Sequence, residues 1–227
     1  MNLKNIIFDL SGTLVDDLPP VLNATNTVLR EMGMSEFSRD EFRKRFYLPF
    51  TKFYAELLPG VDMVKLTEKF RQAFVEQEDN VEEIPYALDF LRFVKGNGIQ
   101  TFLFSSIHQA HFEKIKVKID IAAYLDHPYV EIWDKKSRIL EIVKRHTIKP
   151  EETLFIGDMV HDIETAQYAK MHSCAVLTGY THLEPLQKCH PELLLDNLST
   201  LKELILSNGF DWDVIISKAR ELNLNRL

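Results

Sequence analysis

Short apolar segments that alternate with helical patterns are the feature of this sequence that most limits its possible folds. Six segments have the length and composition of buried strands: residues 4–8, 99–104, 129–132, 153–157, 173–177 and 192–195. Helical patterns occupy residues 85–95, 137–146, 161–170 and 199–207. Alternation of this kind predicts an α/β fold, in which a parallel sheet with right-handed crossovers carries helices on both faces.

The stretch between the first two predicted strands, residues 18–84, interrupts this alternation. Its apolar residues recur at helical spacing, as at Val28 and Leu29 and at Phe70 and Phe74, and prolines divide it into pieces. The pattern predicts about four helices and no strand. These helices either extend the core of the sheet domain or form a small all-helical domain of their own.

A carboxylate ends the first predicted strand. The apolar run at residues 6–8 leads directly into Asp9, and Ser11, Gly12 and Thr13 follow shortly after. Open parallel sheets bind their ligands beyond the carboxyl ends of the strands. Asp9 is therefore a candidate functional residue.

Polar side chains also follow two later strands. Ser105 and Ser106 come directly after one of them, Asp158 ends the next, and Asp162 lies four residues further on. Because the carboxyl ends of parallel strands meet at one edge of a sheet, we expect Asp9, Asp158 and Asp162 to converge. Carboxylate oxygens suit Mg2+, which usually keeps several waters. For Asp162 the alternative is a simple helix cap.

Residues 6–15 resemble the first motif of the haloacid dehalogenase-like (HAD) superfamily, in which a strand leads into Asp-x-Asp-Gly-Thr/Val. Members of this superfamily are mostly Mg2+-dependent phosphatases and phosphotransferases. Three further family motifs occur here in order: a serine at a strand end, a lysine at a helix start, and Gly-Asp-x-x-x-Asp. The resemblance, which includes phosphoglycolate phosphatase-like members, implies a Rossmann-like core at residues 1–17 and 85–227 and a helical cap at 18–84. It thus favours a separate helical domain.

The resemblance implies a role for each matched residue. Asp9 would attack phosphorus and carry an aspartyl-phosphate, with Ser105 and Lys135 as the other catalytic residues. The implied phosphate-binding residues are Leu10, Ser11, Ser105, Ser106 and Lys135. The implied Mg2+ ligands are Asp9, the backbone carbonyl of Ser11, Asp158 and Asp162.

The lysine of the third motif is one of two neighbours. Lys135 and Lys136 both precede a helical pattern, where a cation would neutralise phosphate charge and restrain the nucleophilic carboxylate. The spacing to the fourth motif favours Lys135, and Lys136 remains a rival. Two solvated surface lysines are the ordinary alternative.

Ser11 departs from the family pattern. Family phosphatases have a second aspartate at this position, which protonates the leaving group and then deprotonates the attacking water. A serine hydroxyl cannot do so near neutral pH, and general acid–base catalysis typically contributes about 10²–10⁴-fold, or roughly 3–5.5 kcal/mol of barrier. His108 and His161 are candidate substitutes, although surface or packing roles are the ordinary interpretation of both.

Other branches of the superfamily also have a non-acidic residue at this position. P-type ATPases have Thr and keep a long-lived aspartyl-phosphate, phosphonatases have Ala and use a cap lysine, and haloacid dehalogenases have an aromatic residue and no metal. Asp158 and Asp162 argue against the dehalogenase branch. The lysines of the cap segment match no phosphonatase motif: Lys44, Lys52, Lys65 and Lys69.

Three functional hypotheses follow. The first is a slow or specialised Mg2+-dependent hydrolase acting on a small phosphorylated metabolite. The second is a catalytically silent protein that still binds phosphate. The third is a phosphotransferase that passes the phosphoryl group to an acceptor other than water.

Composition adds little that is specific. The net charge of −7, with no block of Lys and Arg, argues against nucleic acid or a membrane surface as a partner. The sequence starts without the apolar core of a signal peptide and contains no membrane-spanning run, so we expect a cytoplasmic protein. Cys174 and Cys189 are expected to be reduced thiols.

A last amphipathic pattern runs from Trp212 to Leu222. It predicts one more helix beyond the sheet. The apolar face of that helix packs either on the core or on a second subunit, so both a monomer and a homodimer are compatible with the sequence.

Overall fold

The computed structural model describes residues 2–227, which form two compact units. The core unit comprises the chain up to Val15 and from Glu83 onward, and the helical unit comprises Asp16–Glu82. The core unit is therefore discontinuous in sequence, because the helical unit is inserted after its first strand.

A parallel sheet of six strands forms the centre of the core unit. In chain order the strands are β1 (Asn5–Phe8), β2 (Val15–Asp16), β3 (Glu82–Glu83), β4 (Gln100–Phe104), β5 (His127–Tyr129), β6 (Thr153–Gly157), β7 (His172–Val176) and β8 (Leu193–Leu195). The sheet has the order β5-β4-β1-β6-β7-β8, and β2 and β3 form a separate two-stranded sheet. This is a Rossmann-like order, and its direction reverses beside β1.

Eleven α-helices complete the described part of the chain. Those of the helical unit are α1 (Leu18–Glu31), α2 (Arg39–Arg45), α3 (Phe50–Leu57) and α4 (Met63–Val75). Those of the core unit are α5 (Ala87–Gly96), α6 (Gln109–Lys118), α7 (Lys135–His146), α8 (Val160–Tyr168), α9 (Leu183–Lys188), α10 (Leu198–Asn208) and α11 (Trp212–Glu221). The predicted α/β fold class is confirmed. Among the described residues, no helix has the length and apolar character that a membrane span requires.

β1 is the central strand because its side chains can be buried on both faces of the sheet. Ile6 and Phe8 on one face and Ile7 on the other are all at most 1% exposed, as is typical of parallel strands covered on both sides. Asn5 pairs with Gln100 of β4 on one side and with Thr153 of β6 on the other. The carboxyl end of β1 therefore lies between the carboxyl ends of β4 and β6.

The fifth strand of the sheet lies earlier than the sequence predicted. The prediction of a strand at residues 129–132 is wrong in position, because the strand is His127–Tyr129. Glu131 has a left-handed φ of +58° and donates its N–H to the Ile107 carbonyl, so the extended backbone ends before it. Pro128 is tolerated because this is an edge strand.

Four elements have no counterpart among the predictions: β2, β3, α6 and α9. The strands β2 and β3 have two residues each, too few for a periodic pattern. Helix α6 buries only Phe112 and Ile115, and α9 buries only Leu186. Helices with so few buried side chains leave little apolar periodicity in the sequence.

The helical unit contains the four α-helices that the sequence predicted there. Its interior is rich in aromatic side chains, and the rings of Phe42 and Phe53 meet edge to face with centroids 6.1 Å apart. Ala24 of α1 packs in one cluster with Ala73 and Phe74 of α4. Aromatic pairs of this geometry add stability beyond the area that they bury.

Helix α11 packs on the core unit. Trp212, Ile215 and Ala219 are buried and lie on one face of the helix. The Trp212 indole N–H also donates to the Glu192 carboxylate. Of the two alternatives left open by the sequence, the structure places the apolar face of this helix against its own core.

We expect Trp212→Ala to lower the free energy of unfolding by about 3–5 kcal/mol, because it leaves a cavity where a buried indole was. Urea denaturation followed by circular dichroism measures the change. Val214→Ala, at an exposed position of the same helix, is the control and should stay within about 0.5 kcal/mol of wild type. Equal stabilities of the two variants would contradict the packing of α11 on the core.

Candidate active site

The candidate site lies beyond the carboxyl ends of the central strands β4, β1 and β6. Ser105 directly follows β4, Asp9 directly follows β1 and Asp158 directly follows β6. The Asp9 N–H donates to the Ile156 carbonyl at 2.9 Å, which extends the ladder between β1 and β6 by one residue. The side chains singled out from the sequence thus start from one edge of the sheet.

Three carboxylates form a buried acidic cluster at this edge. Asp9, Asp158 and Asp162 each offer an oxygen, and these oxygens lie within 4.8 Å of one another. Burial raises the pKa of all three carboxyls, and it raises that of Asp158 well above the usual value, with the charges of Asp9 and Asp162 adding to the effect. Like charges in a buried site repel each other, so the ionised form of this cluster needs nearby cations.

Lys135 supplies one cation. Its Nζ lies 2.8 Å from Asp9 Oδ1 and 2.6 Å from Asp162 Oδ1, and its side chain is 2% exposed. Lys135 is the first residue of α7, which Asp134 caps by accepting the Ser137 N–H at 3.1 Å. Burial alone would lower the pKa of Lys135, but the charges of Asp162 and Asp9 outweigh it and raise that pKa. The ammonium therefore stays protonated.

Lys136 lies outside the cluster. Its Nζ pairs with Glu164 at 2.7 Å, and nearly half of its side chain is exposed to solvent. Of the two lysines that the sequence left as rivals, the structure thus brings Lys135 to the carboxylates and Lys136 to the surface.

Asp162 uses its two oxygens for different partners. Oδ2 accepts the backbone N–H of Met159 at 3.1 Å, at the start of α8, and Oδ1 contacts Lys135. The sequence offered helix capping and membership of the acidic site as alternatives for Asp162. The structure shows that this side chain caps the helix and also lies in the cluster.

The donor set fits a hard divalent cation. With all three carboxylates ionised, the single ammonium would leave an excess of two negative charges in a buried site. A cation such as Mg2+ would balance that excess, and it takes carboxylate oxygens in preference to softer ligands. Bound there, it would also bring the raised pKa values of the three carboxyls down, because a nearby positive charge favours the ionised form.

A tight turn at residues 10–15 follows the first strand. The Leu10 carbonyl accepts the Val15 N–H at 3.0 Å, and the Gly12 N–H donates to the Val15 carbonyl at 2.7 Å. Because the peptide bond is planar and trans, the Ser11 N–H points opposite to the Leu10 carbonyl, away from the interior of the turn. An outward-pointing N–H at such a turn is suited to binding an anion.

Hydrogen bonds fix Ser105 at the end of β4, whereas Ser106 lies one residue further along in the loop that follows. The N–H of Ser105 donates to the Tyr129 carbonyl at 3.0 Å, and its carbonyl accepts the Ile132 N–H at 3.0 Å. Its hydroxyl oxygen accepts the Ile107 N–H at 3.3 Å. Ser105 is buried and Ser106 is partly buried.

The two histidines considered as acid–base substitutes lie in different places. His108 is exposed and caps α6, where its Nδ1 accepts the Ala110 N–H at 3.2 Å. His161 Nε2 lies 3.3 Å from Asp162 Oδ1. Burial, followed by the charge of Lys135, lowers the pKa of the His161 imidazole well below its usual range, so this ring is neutral. Of the two, His161 alone adjoins the cluster.

The loop after β7 makes contacts that the sequence analysis missed. The Tyr180 N–H of this loop donates to Asp158 Oδ2 at 2.6 Å. The other oxygen of that carboxylate, Oδ1, accepts the hydroxyl of Thr13, from the turn after β1, at 3.3 Å. The Thr178 hydroxyl donates to the Gly12 carbonyl at 2.6 Å. A signal was present in the sequence, because this polar stretch directly follows a predicted strand and hence reaches the same edge of the sheet.

Gly12 and Gly179 let two backbone segments approach Asp158. Gly12 has a φ of +76°, which disfavours other residues. A Cβ at either glycine would collide with the Asp158 carboxylate, and one at Gly12 would also lie 2.8 Å from the Cα of Gly179. The carboxylate of Asp158 is therefore enclosed by backbone that only glycine can form.

Comparison with family models relates this site to known proteins. The model of the family described as haloacid dehalogenase-like hydrolase matches residues 6–176. The matched region contains every charged residue of the site: Asp9, Lys135, Asp158 and Asp162.

Individual relatives are similar over most of the chain. Phosphoglycolate phosphatase 1 of Pseudomonas aeruginosa is 24% identical over 210 residues, which are 86% of this chain and 77% of the relative. The pyrophosphatase PpaX of Oceanobacillus iheyensis is 22% identical over 219 residues, 90% of this chain and 98% of the relative. A solved structure of a haloacid dehalogenase-like family hydrolase from Streptococcus pneumoniae has a TM-score of 0.78 at 20% identity, with 88% of this chain and 98% of the other covered. The fold is therefore shared.

We expect Gly179→Ala to lower the free energy of unfolding by about 1–3 kcal/mol, because the added methyl group overpacks the Asp158 carboxylate. Urea denaturation provides the measurement. Gly96→Ala is the matched control, since no atom lies within 4 Å of its added Cβ, and it should be neutral or stabilising by up to about 1 kcal/mol. If both variants were as stable as wild type, the close approach at Gly179 would be disproved.

Proposed function

We propose, since this chain belongs to the haloacid dehalogenase-like hydrolase family, that it is a Mg2+-dependent phosphatase acting on a small phosphorylated metabolite. The observation that supports this most is the buried cluster of Asp9, Asp158 and Asp162 with the Lys135 ammonium. Relatives named phosphoglycolate phosphatase and pyrophosphatase point to small phosphate esters and anhydrides as the substrate class. The helical unit would be the cap domain that many members of the superfamily carry.

Asp9 is the proposed nucleophile. Lys135 holds its Oδ1 at 2.8 Å, and Oδ2 is the oxygen that would attack phosphorus. The Oδ2–P bond forms while the bond from phosphorus to the leaving oxygen breaks, and that oxygen departs with the electron pair. Water then attacks the phosphorus of the aspartyl-phosphate, which releases inorganic phosphate and restores the carboxylate of Asp9.

The neighbouring residues would bind the phosphate group and the metal. The Ser105 hydroxyl, the N–H groups of the turn at Leu10 and Ser11, and Ser106 would donate to phosphate oxygens, while Lys135 neutralises charge. The proposed Mg2+ ligands are Asp9, the Ser11 carbonyl, Asp158 and Asp162. When bound, the ion supplies positive charge that stabilises the phosphoryl oxygens.

Ser11 makes proton transfer the weak step of this mechanism. Its hydroxyl cannot protonate a leaving alkoxide near neutral pH, and the loss of a general acid–base group typically costs about 10²–10⁴-fold in rate. We propose that hydrolysis is slow and that it favours leaving groups which depart as stable anions.

A second candidate function is phosphate binding without hydrolysis. Ser11 favours it, because the cluster and the turn would still bind Mg2+ and a phosphate group after the acid–base residue is lost. In one form of this candidate the aspartyl-phosphate forms, persists and passes its phosphoryl group to an acceptor other than water.

We expect wild-type protein with Mg2+ to release inorganic phosphate from at least one member of a panel of phosphorylated metabolites, including 2-phosphoglycolate and pyrophosphate. Asp9→Asn should lower that rate by roughly 10³-fold or more, because it removes the nucleophile. Asp89→Asn, an identical change at an exposed aspartate that pairs with Lys202 on the surface, should keep the rate. Failure of wild-type protein to turn over any substrate would rule out the hydrolase proposal.

We expect Ser11→Asp to raise the hydrolysis rate by about 10²–10⁴-fold, because it restores a general acid–base group. The gain should be largest for alkyl phosphates, whose leaving oxygens need a proton most. Steady-state kinetics on alkyl and aryl phosphates measure it, with Ser207→Asp at an exposed position of α10 as the control for added charge. A fall in rate would instead place the serine within a working mechanism.

A further inference from the structure

We propose that Thr178 is a positioning residue, whose hydroxyl holds the phosphate-binding turn against the loop that fixes Asp158. This inference rests on the proposed function, because it concerns the geometry of the same metal and phosphate site. Thr178 lies beyond residues 6–176, the region that the family model matches, and its role therefore comes from its contacts alone.

The first contact is with the turn. The Thr178 hydroxyl donates to the Gly12 carbonyl at 2.6 Å and so fixes the orientation of the peptide between Gly12 and Thr13. Thr13 in turn donates its hydroxyl to Asp158 Oδ1 at 3.3 Å. The peptide that Thr178 holds thus leads into Thr13, whose hydroxyl donates to the proposed metal ligand Asp158. It also belongs to the same turn as Ser11, whose N–H and carbonyl are assigned to phosphate and metal.

The second contact is made two residues further along the same loop. The Tyr180 N–H donates to Asp158 Oδ2 at 2.6 Å, so both oxygens of this carboxylate are held. Gly179, between the two donors, packs against Gly12 with no room for a side chain on either. The loop and the turn therefore enclose Asp158 from two sides, and the Thr178 hydrogen bond is a direct link between them.

Loss of the Thr178 hydroxyl should act on the site through this link. Without that donor the Gly12 carbonyl loses its side-chain partner, and the turn can rotate away from the geometry that aligns Ser11 and Asp158. Groups that orient metal ligands typically affect metal affinity or activity about 10–100-fold when they are removed. We expect an effect of this size on Mg2+ binding, with a smaller effect on the stability of the fold.

The test uses a pair of variants that differ only in the hydroxyl, Thr178→Ser and Thr178→Ala, together with the isosteric Thr178→Val. Isothermal titration with Mg2+ alone gives the metal affinity, and kcat and KM are measured on the best substrate. Thr178→Ala and Thr178→Val should bind Mg2+ about tenfold or more weakly and lose kcat, whereas Thr178→Ser should stay within about threefold of wild type. Thermal unfolding identifies any variant that does not fold. If Thr178→Val does not fold, the comparison of Thr178→Ser with Thr178→Ala still tests the role of the hydroxyl.

Thr153→Val is the matched control. The Thr153 hydroxyl donates to the Lys149 carbonyl at 2.8 Å, a partly buried bond of the same kind at the opposite, amino end of β6, and it also accepts the Asn5 side-chain N–H at 3.1 Å. This variant should bind Mg2+ as wild type does, even if it is less stable.

Three outcomes would overturn the proposal. Wild-type Mg2+ affinity in Thr178→Ala, with catalysis intact, would refute the role of Thr178 and leave the proposed function standing. Equal losses in Thr178→Ser and Thr178→Ala would show that the hydroxyl is not responsible. Absence of Mg2+ binding by the wild-type protein would refute the proposed function itself and the role of Thr178 with it.

Discussion

Compensation of buried negative charge at the end of the central strand is the constraint on which the rest of the core unit depends. Asp9, Asp158 and Asp162 are buried within reach of one another, and among their described partners Lys135 contributes the full positive charge. Removing one partner of a buried ion pair typically costs about 3–5 kcal/mol, because it leaves a charge without compensation. The strands β1 and β6 and the helices α7 and α8 must therefore all be in their native positions before these charged side chains can be buried together.

The local structure around the cluster meets this constraint with backbone groups. Asp134 caps the helix that Lys135 begins, and Asp162 caps the helix on which it lies. The Tyr180 N–H and the Thr13 hydroxyl occupy the two oxygens of Asp158. The carboxylates of Asp158 and Asp162 are thus oriented by hydrogen bonds formed at the ends of strands and helices, while the Lys135 ammonium also lies 5.8 Å from the centre of the Phe155 ring.

Much of this arrangement could be predicted from the sequence because it depends on local patterns. The strand that ends at Asp9 is a continuous apolar run, and the Gly-Asp-x-x-x-Asp pattern places Asp158 and Asp162 at a strand end and a helix start. The position of β5 was mispredicted because the left-handed backbone of Glu131 is decided by the loop from Ser105 to His108, which lies against it. Thr178 and Tyr180 were missed because their partners, Gly12 and Asp158, are far away in sequence. Their position directly after a predicted strand indicated the edge of the sheet that they reach, but not which residues they contact there. The spacing to the fourth motif favoured Lys135 over Lys136, and the structure brings Lys135 to the carboxylates while Lys136 pairs with Glu164 at the surface.

The insertion of the helical unit after β1 also has a consequence for the order in which the chain can fold. The neighbours of β1 in the sheet are β4 and β6, and Asn5 meets Thr153 across 148 residues of sequence. Closing a loop of that length costs chain entropy before any stabilising contact forms, which slows folding. Sheets built from strands that are distant in sequence therefore fold more slowly than local structures. During synthesis on a ribosome, the strand that bears Asp9 is made first but completes its pairing only after most of the chain has emerged. The apolar strand that leads into Asp9 is therefore among the last segments to pair with its native neighbours. Until then its apolar residues must be kept from aggregating by something other than the native sheet.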